Sequence, residues 1–255
     1  MEKGVPIRSI SRSIAVLQAI NKHGSLSMMA IARQGSVPYP TACRIVQTLI
    51  LEGLIEQEPA RKRYRATALV QSLAHGYQSE NELVGISRPH IREITRQIGW
   101  PVSITTKVGS RMVVLDSTHA ETSLTFERYY PGFTLPLLGC ASGRLCLAHM
   151  EPEERENVLR WRAVGDDGNG EALLETTESL NAICEQGYAT LGWNRHNLTP
   201  GKTSSIAVPI FQNGRFVSAL TLIYFAAAMR QDHAIERYLS LMVMKAEAIT
   251  AELSK

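Results

Sequence analysis

The sequence has little of what usually marks a metalloprotein or a hydrolase. Its four cysteines show no C-x-x-C spacing, and its seven histidines are scattered without a metal-binding repeat. Zinc ligation is therefore not expected. There is also no G-x-S-x-G nucleophile motif and no glycine-rich loop with the spacing of a phosphate site. These absences predict no metal and no cofactor.

Long apolar runs are missing as well. No stretch approaches the roughly 20 residues that span a bilayer, and the N-terminus is too polar for a signal peptide. Cysteines without a disulfide-like pattern are typical of a reducing compartment. We therefore expect a cytoplasmic protein with no membrane partner.

Charge is modest overall but unevenly distributed. The 255 residues carry a net charge of +3. Residues 1–80 hold ten Lys/Arg against five Asp/Glu, whereas residues 81–255 hold seventeen against nineteen. A basic N-terminal part joined to a slightly acidic larger part suits a nucleic-acid reader that carries a second module. At this length two domains are expected.

Residues 26–67 have the pattern of two short helices with a tight link, followed by a hairpin. Ser27 is a good N-cap, Gly35 suits a helix end with positive φ, and Pro38 and Pro40 suit a helix start. The apolar residues of the second helix recur at helical spacing and form one buried stripe, namely Ala42, Ile45, Val46 and Leu49. The pattern predicts a winged helix-turn-helix.

The polar face of this second helix and the basic hairpin are the predicted DNA contacts. Arg44 lies in mid-helix, Tyr39 and Thr41 lie at the helix start that meets base edges, and the hairpin cations suit phosphates. The full predicted set is Ser27, Tyr39, Thr41, Arg44, Gln47, Thr48, Arg61, Lys62 and Arg63. The alternatives are a small helical bundle with a solvated charge run, a solvent-facing Arg44, and a Tyr39 that covers the core.

The remainder predicts an α+β domain. Thr67 caps a further helix that continues towards Ser79, and residues 123–129 alternate like a strand. Residues 206–211 and 217–224 form a hairpin about an Asn-Gly turn. Helices before and after several hairpins predict an antiparallel sheet with flanking helices. The predicted domains are a DNA-binding domain at 1–67, a linker helix at 68–82, and a third region at 83–255.

Several blocks of sequence carry a family resemblance. SRSIAVLQAI, HGSLSMMAIA and VPYPTACRIVQTLILEGLIE resemble the DNA-binding domain of the IclR family of bacterial transcription regulators. LPLLGCASGRLCLA, EQGYAT and SSIAVPIFQNG resemble its effector domain. The resemblance implies a winged helix-turn-helix, a linker helix, a GAF-like α/β effector domain, and homodimers that commonly pair into tetramers. The runs LTFERYYPGFTLPLL and LTLIYFAAAMR are most similar to activators of (hydroxyphenyl)propionate-type catabolic operons.

The resemblance also implies an effector pocket. The family motif places Ala141 and Ser142 at a helix N-terminus, which suits an anion. An aromatic acid would set its ring against apolar groups and its carboxylate near Arg128 or Arg195, because the guanidinium fork binds carboxylates; the alternative for both arginines is a surface salt bridge. The predicted effector residues are Leu124, Phe126, Arg128, Ala141, Ser142, Trp193, Arg195, Ser205, Thr221 and Ile223.

The predicted function is a ligand-responsive regulator that binds a pseudo-palindromic operator and controls an aromatic-acid catabolic operon. Its partners would be double-stranded DNA, an aromatic acid, a second copy of the chain, and RNA polymerase if it activates. One alternative is a ligand-independent repressor of the same fold. Another is an enzyme of small aromatic acids, for which Cys140 or Cys146 beside His149 would be the nucleophile, although such cysteines are more often packed hydrophobes.

Overall fold

The structure, a computed structural model, describes residues 7–74, 81–125, 129–164, 177–192 and 202–255. Contacts divide the chain into two compact units, Met1–Ser79 and Glu80–Lys255. The division lies inside the segment that the sequence assigns to a linker. Each unit has its own apolar core, so each is described separately.

The first unit is the predicted winged helix-turn-helix. Its elements are α1 (Arg8–His23), β1 (Leu26–Ser27), α2 (Met28–Gln34), α3 (Tyr39–Leu51), β2 (Ile55–Gln57) and β3 (Arg63–Ala66). The three strands pair in the order β1-β3-β2. The stripe predicted on α3 is buried as expected and packs with residues of α1 and α2. We refer to β2, β3 and the turn between them, residues 55–66, as the wing hairpin.

The link between α2 and α3 differs in detail from the expectation. Gly35 has a φ of −81°, and Ser36 instead takes the left-handed conformation with a φ of +51°. Gly35 is needed for a different reason. A Cβ on Gly35 would lie 3.1 Å from the Ile31 carbonyl oxygen and 3.4 Å from Val16 Cγ2, so its small size lets α1 pack against the end of α2.

The segment after the wing hairpin is helical in its described part, as the sequence predicts, but the helix is of the 3₁₀ type. Residues Ala68–Ala74 form a 3₁₀ helix, and none of them is buried. Short α-helices gain most of their stability from a buried face, and this segment has none. Thr67 ties its start to the first unit, since Thr67 Oγ1 donates to the Gly53 carbonyl oxygen at 2.6 Å and accepts from Leu69 N at 3.2 Å. The rest of the predicted linker up to residue 80 lies outside the described residues.

The second unit is an α+β domain built on one antiparallel sheet. Its helices are α4 (Asn81–Ile98), α5 (Ala141–Ala148), α6 (Pro152–Val164), α7 (Thr177–Gln186) and α8 (Gln231–Leu253). Its strands are β4 (Val102–Val108), β5 (Arg111–Ser117), β6 (Thr134–Pro136), β7 (Ala189–Leu191), β8 (Thr203–Gln212) and β9 (Arg215–Phe225). The strand order is β6-β5-β4-β9-β8-β7, and the predicted β8–β9 hairpin turns at Asn213-Gly214.

Helices cover both faces of this sheet. Large apolar residues at every second position of β4, β8 and β9, such as Ile104, Ile206 and Leu220, pack against α4 and α8. The residues between them, such as Ala207 and Ala219, pack against α5 and α7. Successive side chains of a strand point to opposite faces. The residues that alternate with the large apolar ones, such as Ala207 and Ala219, therefore form the surface that faces α5.

The strand predicted at residues 123–129 is wrong in its described part. Residues 123–125 and 129 are not in a strand, and the edge strand beside β5 is β6, which the sequence did not suggest. The cause is local. Thr122 Oγ1 donates to the Gly99 carbonyl oxygen at 2.6 Å and accepts from Leu124 N at 3.1 Å, which turns the chain away from an extended path.

Candidate functional site

The first candidate surface is the outer face of α3. Tyr39, Arg44, Gln47 and Thr48 are exposed, and Thr41 is half-buried. They lie opposite the buried stripe, so the helix offers one polar face while the other anchors it. Among the described residues, the Arg44 side chain makes no hydrogen bond and no ion pair. Tyr39 is 48% exposed, so it does not cover the core.

The cations of the wing hairpin fall into different environments. Arg61 and Lys62 are exposed at the turn, and their side chains have no hydrogen-bond or ion-pair partner among the described residues. Arg65 pairs with Glu56 on the neighbouring strand at 2.6 Å. Arg63 is half-buried and is hydrogen-bonded to Ser25. Ser27 Oγ accepts from Ala30 N at 3.3 Å and so caps α2 as predicted.

The second candidate site is a cavity of about 30 Å³ between the sheet and the start of α5 in the second unit. That volume holds about two water molecules. Eight of the thirteen described lining residues carry a hydroxyl group, and none of these thirteen is charged. The lining residues are Ser103, Thr105, Tyr129, Leu135, Cys140, Ala141, Ser142, Leu191, Thr203, Ser204, Ser205, Thr221 and Ile223.

Strand alternation explains this wall. Ser103 and Thr105 alternate on β4 with Val102 and Ile104, which face the α4–α8 side. The same alternation on β8 and β9 turns further serine and threonine side chains towards α5. A polar strand face usually meets solvent, but here α5 covers it. The result is a cavity between the sheet and α5 with hydroxyl groups in its wall.

The start of α5 is held against the cavity by close packing. A Cβ on Gly143 would lie 1.8 Å from the Leu137 carbonyl oxygen, so only glycine lets the helix begin there. The first N–H groups of a helix have no partner within the helix, and in α5 these belong to the residues beside the cavity. The cavity is thus lined by hydroxyl groups and by a helix N-terminus that favours negative charge.

Two polar groups in the cavity wall stand out. Thr221 is 6% exposed, and its Oγ1 is buried without a hydrogen-bond partner among the described residues. Cys140 lies at the N-cap of α5, and its thiol donates to the Pro136 carbonyl oxygen at 3.3 Å. Burial raises the pKa of the Cys140 thiol. The thiol therefore stays protonated, whereas the free Thr221 hydroxyl is available to a ligand.

Five of the ten predicted effector residues line this cavity, namely Ala141, Ser142, Ser205, Thr221 and Ile223. Leu124 does not, since it packs near Gly99 and is 38% exposed. Phe126, Arg128, Trp193 and Arg195 lie outside the described residues. Sequence reasoning missed the hydroxyls of β4 and the start of β8. Their alternation with apolar residues was the available signal.

The arrangement proposed for a nucleophilic cysteine is not present. The cysteine near His149 is Cys184, with Sγ 3.9 Å from Nδ1, and its thiol donates to the Ala148 carbonyl oxygen at 3.0 Å. Burial raises the pKa of Cys184 and takes that of Cys146 to about 12, so neither offers a thiolate at neutral pH. In the described ranges, no three His, Cys, Asp or Glu side chains are grouped to hold a metal ion. No helix in those ranges has the length and apolar character needed to cross a membrane.

Two family profiles match the chain. The profile described as the bacterial transcriptional regulator IclR C-terminal domain matches residues 75–251, and the IclR helix-turn-helix domain matches residues 9–59. Among curated proteins, the HTH-type transcriptional regulator KdgR of Escherichia coli K12 is 22% identical over 253 residues, covering 97% of this chain and 93% of KdgR.

Solved structures share the fold over nearly the whole length. A transcriptional regulator from Alicyclobacillus acidocaldarius superposes with a TM-score of 0.71 at 19% identity, covering 98% of this chain and all of that one. An IclR homolog from Microbacterium hydrocarbonoxydans, complexed with 4-hydroxybenzoate, gives a TM-score of 0.70 at 22% identity and covers 96% of this chain and 98% of that one.

Proposed function

This chain belongs to the IclR family of bacterial transcriptional regulators, and we propose that it binds a pseudo-palindromic operator in response to a small aromatic acid. The family and the relatives it resembles are DNA-binding regulators and not enzymes. The first unit supplies the helix-turn-helix domain, and the second unit corresponds to the effector-binding domain.

The DNA-binding part of the proposal rests on the exposed polar face of α3. We assign α3 to the major groove, with Arg44, Gln47 and Thr48 directed at the DNA and Tyr39 and Thr41 at the helix start. The wing hairpin lies on the sugar–phosphate backbone, where Arg61 and Lys62 neutralise phosphates. Arginine and glutamine at such positions form bidentate bonds with guanine and adenine respectively.

Selection from a random-sequence duplex pool tests this part. The full-length protein should enrich two related half-sites with a fixed spacing, because symmetric oligomers read symmetric sites. Arg44→Ala should relax the preference at one position of each half-site, and Lys62→Ala should weaken binding to all sequences alike. A pool without enriched half-sites would contradict the proposed operator.

The effector part of the proposal rests on the cavity at the N-terminus of α5. Its hydroxyl groups and helix N–H groups suit a carboxylate. The Thr221 hydroxyl has no hydrogen-bond partner among the described residues, and a carboxylate of the ligand would accept its hydrogen bond. The Microbacterium homolog of the same fold was solved with 4-hydroxybenzoate, a molecule of the proposed class. Arg128 and Arg195 remain the proposed cationic contacts, and Phe126 and Trp193 the proposed ring contacts.

The size of the cavity gives the proposal its mechanism. The space bounded by the described residues is smaller than an aromatic ring, so we propose that the acid binds a state in which the wall has moved apart. A ligand shifts an equilibrium only through its different affinities for the two states. An effector that binds only the open state therefore drives the second unit towards it, and this change alters DNA binding.

A thermal-shift screen of the full-length protein tests the effector. Phenylpropionates, hydroxybenzoates and cinnamates are the test acids, and the corresponding alcohols are the matched controls. An effector should raise the melting temperature by mass action, its alcohol should not, and Arg128→Ala and Thr221→Val should both reduce the shift. A shift that both variants keep would place the site elsewhere.

One observation favours a second candidate function. The cavity measures only about 30 Å³, which favours a regulator of the same fold that acts without a ligand. In that case no acid raises the melting temperature or changes the affinity for the selected duplex. The same screen therefore separates the two candidates.

We further propose that the regulator is a homodimer or a tetramer. α1 and its N-cap residue carry an exposed apolar stripe, formed by Ile7, Ile10 and Ile14, which are 63%, 54% and 52% exposed. Such a stripe suits a second copy of the chain. Light scattering should give a multiple of the 28.2 kDa chain mass, and Ile10→Glu with Ile14→Glu should lower it. A monomeric wild type would refute the proposal.

A further inference from the structure

Arg63 differs from the other cations of the wing hairpin because its side chain points back into the first unit. Nε donates to Ser25 Oγ at 3.0 Å, and Nη2 donates to the Ser25 backbone carbonyl oxygen. Ser25 lies between α1 and α2, 38 residues earlier in the chain. The guanidinium is thus held at two points by the segment that joins α1 to β1.

The strand pairing beneath this contact is short. β1 contributes only two residues, with Leu26 opposite Tyr64 and Ser27 opposite Arg63. Ser27 in turn caps α2, so the backbone partner of Arg63 fixes the start of the first helix of the motif. Two-residue pairings are weak by themselves. The side-chain bonds of Arg63 therefore add a specific attachment between the wing hairpin and the helices.

The neighbouring cations make no comparable contact. The Arg65–Glu56 pair joins β3 to β2 and stays within the hairpin. Arg61 and Lys62 leave their charges exposed, with no side-chain partner among the described residues. Arg61, Lys62, Arg63 and Arg65 thus carry the same charge, but only the Arg63 guanidinium bonds to a described residue outside the wing hairpin.

We infer that Arg63 is a positioning residue, which sets the orientation of the wing hairpin on the helix-turn-helix and does not itself neutralise a phosphate. Both bonds go to one residue, and the planar guanidinium fork suits such a two-point contact. A lysine would keep the charge but lose the fork. Arg63 thereby acts on DNA through Arg61 and Lys62, whose place it fixes.

The salt dependence of DNA binding tests the inference, with a duplex that the full-length protein has selected from a random pool. The slope of log K against log salt is negative, and each phosphate contact that is lost reduces its magnitude by about 0.9. Arg61→Ala and Lys62→Ala should each show this decrease. Arg63→Ala should weaken binding by roughly tenfold, the equivalent of one charge-assisted hydrogen bond. Its slope should remain that of the wild type, because Arg61 and Lys62 still reach phosphates once the hairpin has been ordered on the DNA, and the lost affinity is the cost of that ordering.

Two further variants identify the contact through which Arg63 acts. Arg63→Lys should behave like Arg63→Ala, although it keeps the charge. Ser25→Ala should weaken binding in the wild type but have no effect in the Arg63→Ala background, because the two residues share one interaction. Arg63→Lys also supplies the readout if Arg63→Ala does not fold.

Several outcomes would overturn the inference. One is a slope whose magnitude falls by about 0.9 in Arg63→Ala. The others are wild-type affinity in Arg63→Lys, or a Ser25→Ala effect on affinity that is equal in both backgrounds. A lower melting temperature with unchanged affinity would also overturn it, because that result assigns Arg63 to fold stability alone. The inference rests on the proposed contact between the hairpin and DNA. Unchanged slopes in both Arg61→Ala and Lys62→Ala would refute that contact separately.

Discussion

The two units use hydroxyl and charged side chains in opposite ways. In the first unit the polar residues of α3 are exposed on a helix whose other face is buried. In the second unit the polar residues of β4, β8 and β9 are buried under α5. A surface for a large partner needs only an exposed face, whereas a site for a small molecule needs a second layer to enclose it.

The difference sets what each unit tolerates. The α3 face can change without disturbing the core beneath it, so its substitutions should affect binding and leave stability nearly unchanged. In the cavity, a change at one residue alters the packing of both the sheet and α5. Substitutions there should affect stability first.

The largest expected effect is that of Gly143→Ala. The new Cβ would overlap the Leu137 carbonyl oxygen, 1.8 Å away, so α5 must move from the sheet, which destabilises the second unit by about 3 kcal/mol. Gly85→Ala in α4 is the matched control, because nothing lies within 4 Å of its Cβ, and it should stabilise by about 0.5–1 kcal/mol. Denaturant unfolding followed by circular dichroism measures both. Equal effects would show that α5 is not tightly seated.

Arg44→Ala should show the next largest effect, on binding rather than on stability. Loss of a base or phosphate contact by Arg44 should weaken binding to a selected duplex by about 1–3 kcal/mol. Arg96→Ala removes an exposed arginine from α4 of the second unit and should leave DNA affinity unchanged. Fluorescence anisotropy gives both affinities. If Arg96→Ala weakens binding equally, the comparison between the units fails.

The contrast also explains what sequence can predict. The stripe of Ala42, Ile45, Val46 and Leu49 defines the buried face of α3, so the exposed face follows from periodicity alone. On β4, by contrast, Ser103 and Thr105 have the same alternation whether water or a helix covers them. Whether α5 covers them depends on how α5 packs on the sheet, and the alternation along β4 does not contain that information.

Edges and connections were harder to predict for a related reason. Residues 123–125 have a strand-like alternation, but the Thr122–Gly99 hydrogen bond directs the chain elsewhere. Residues 68–74 have helical spacing, but no buried face stabilises an α-helix there. In both cases a tertiary contact, or the absence of one, overrides local preference.

Thr221→Val should have a smaller effect, and it should stabilise the second unit. Valine has nearly the shape of threonine and removes a buried hydroxyl that has no partner among the described residues, so the second unit should gain about 1 kcal/mol and melt about 2–4 °C higher. Thr95→Val is the matched control. Thr95 Oγ1 lies 2.6 Å from Thr118 Oγ1, and its loss should lower the melting temperature. A lower melting temperature for Thr221→Val would show that the hydroxyl is satisfied.

The smallest expected effect is the pH dependence contributed by one histidine in each unit. Burial lowers the pKa of His149, which stacks on Phe216 with ring centroids 5.7 Å apart. Burial, and then the charge of Lys22, lowers the pKa of the more exposed His23. The folded state therefore disfavours the protonated form of both residues. Their contribution to stability is present above the unfolded pKa of about 6.5 and is lost as the pH falls from there through the folded pKa.

Melting temperatures at about pH 7.5 and about pH 5.5 lie on either side of that unfolded pKa and measure this loss. His149→Gln should reduce the decrease that the wild type shows on acidification, because glutamine does not titrate. His23→Gln should reduce it less, since His23 is exposed to solvent and His149 packs against two phenylalanine rings. If His23→Gln had the larger effect, enclosure would not be what distinguishes the polar groups of the second unit from those of the first.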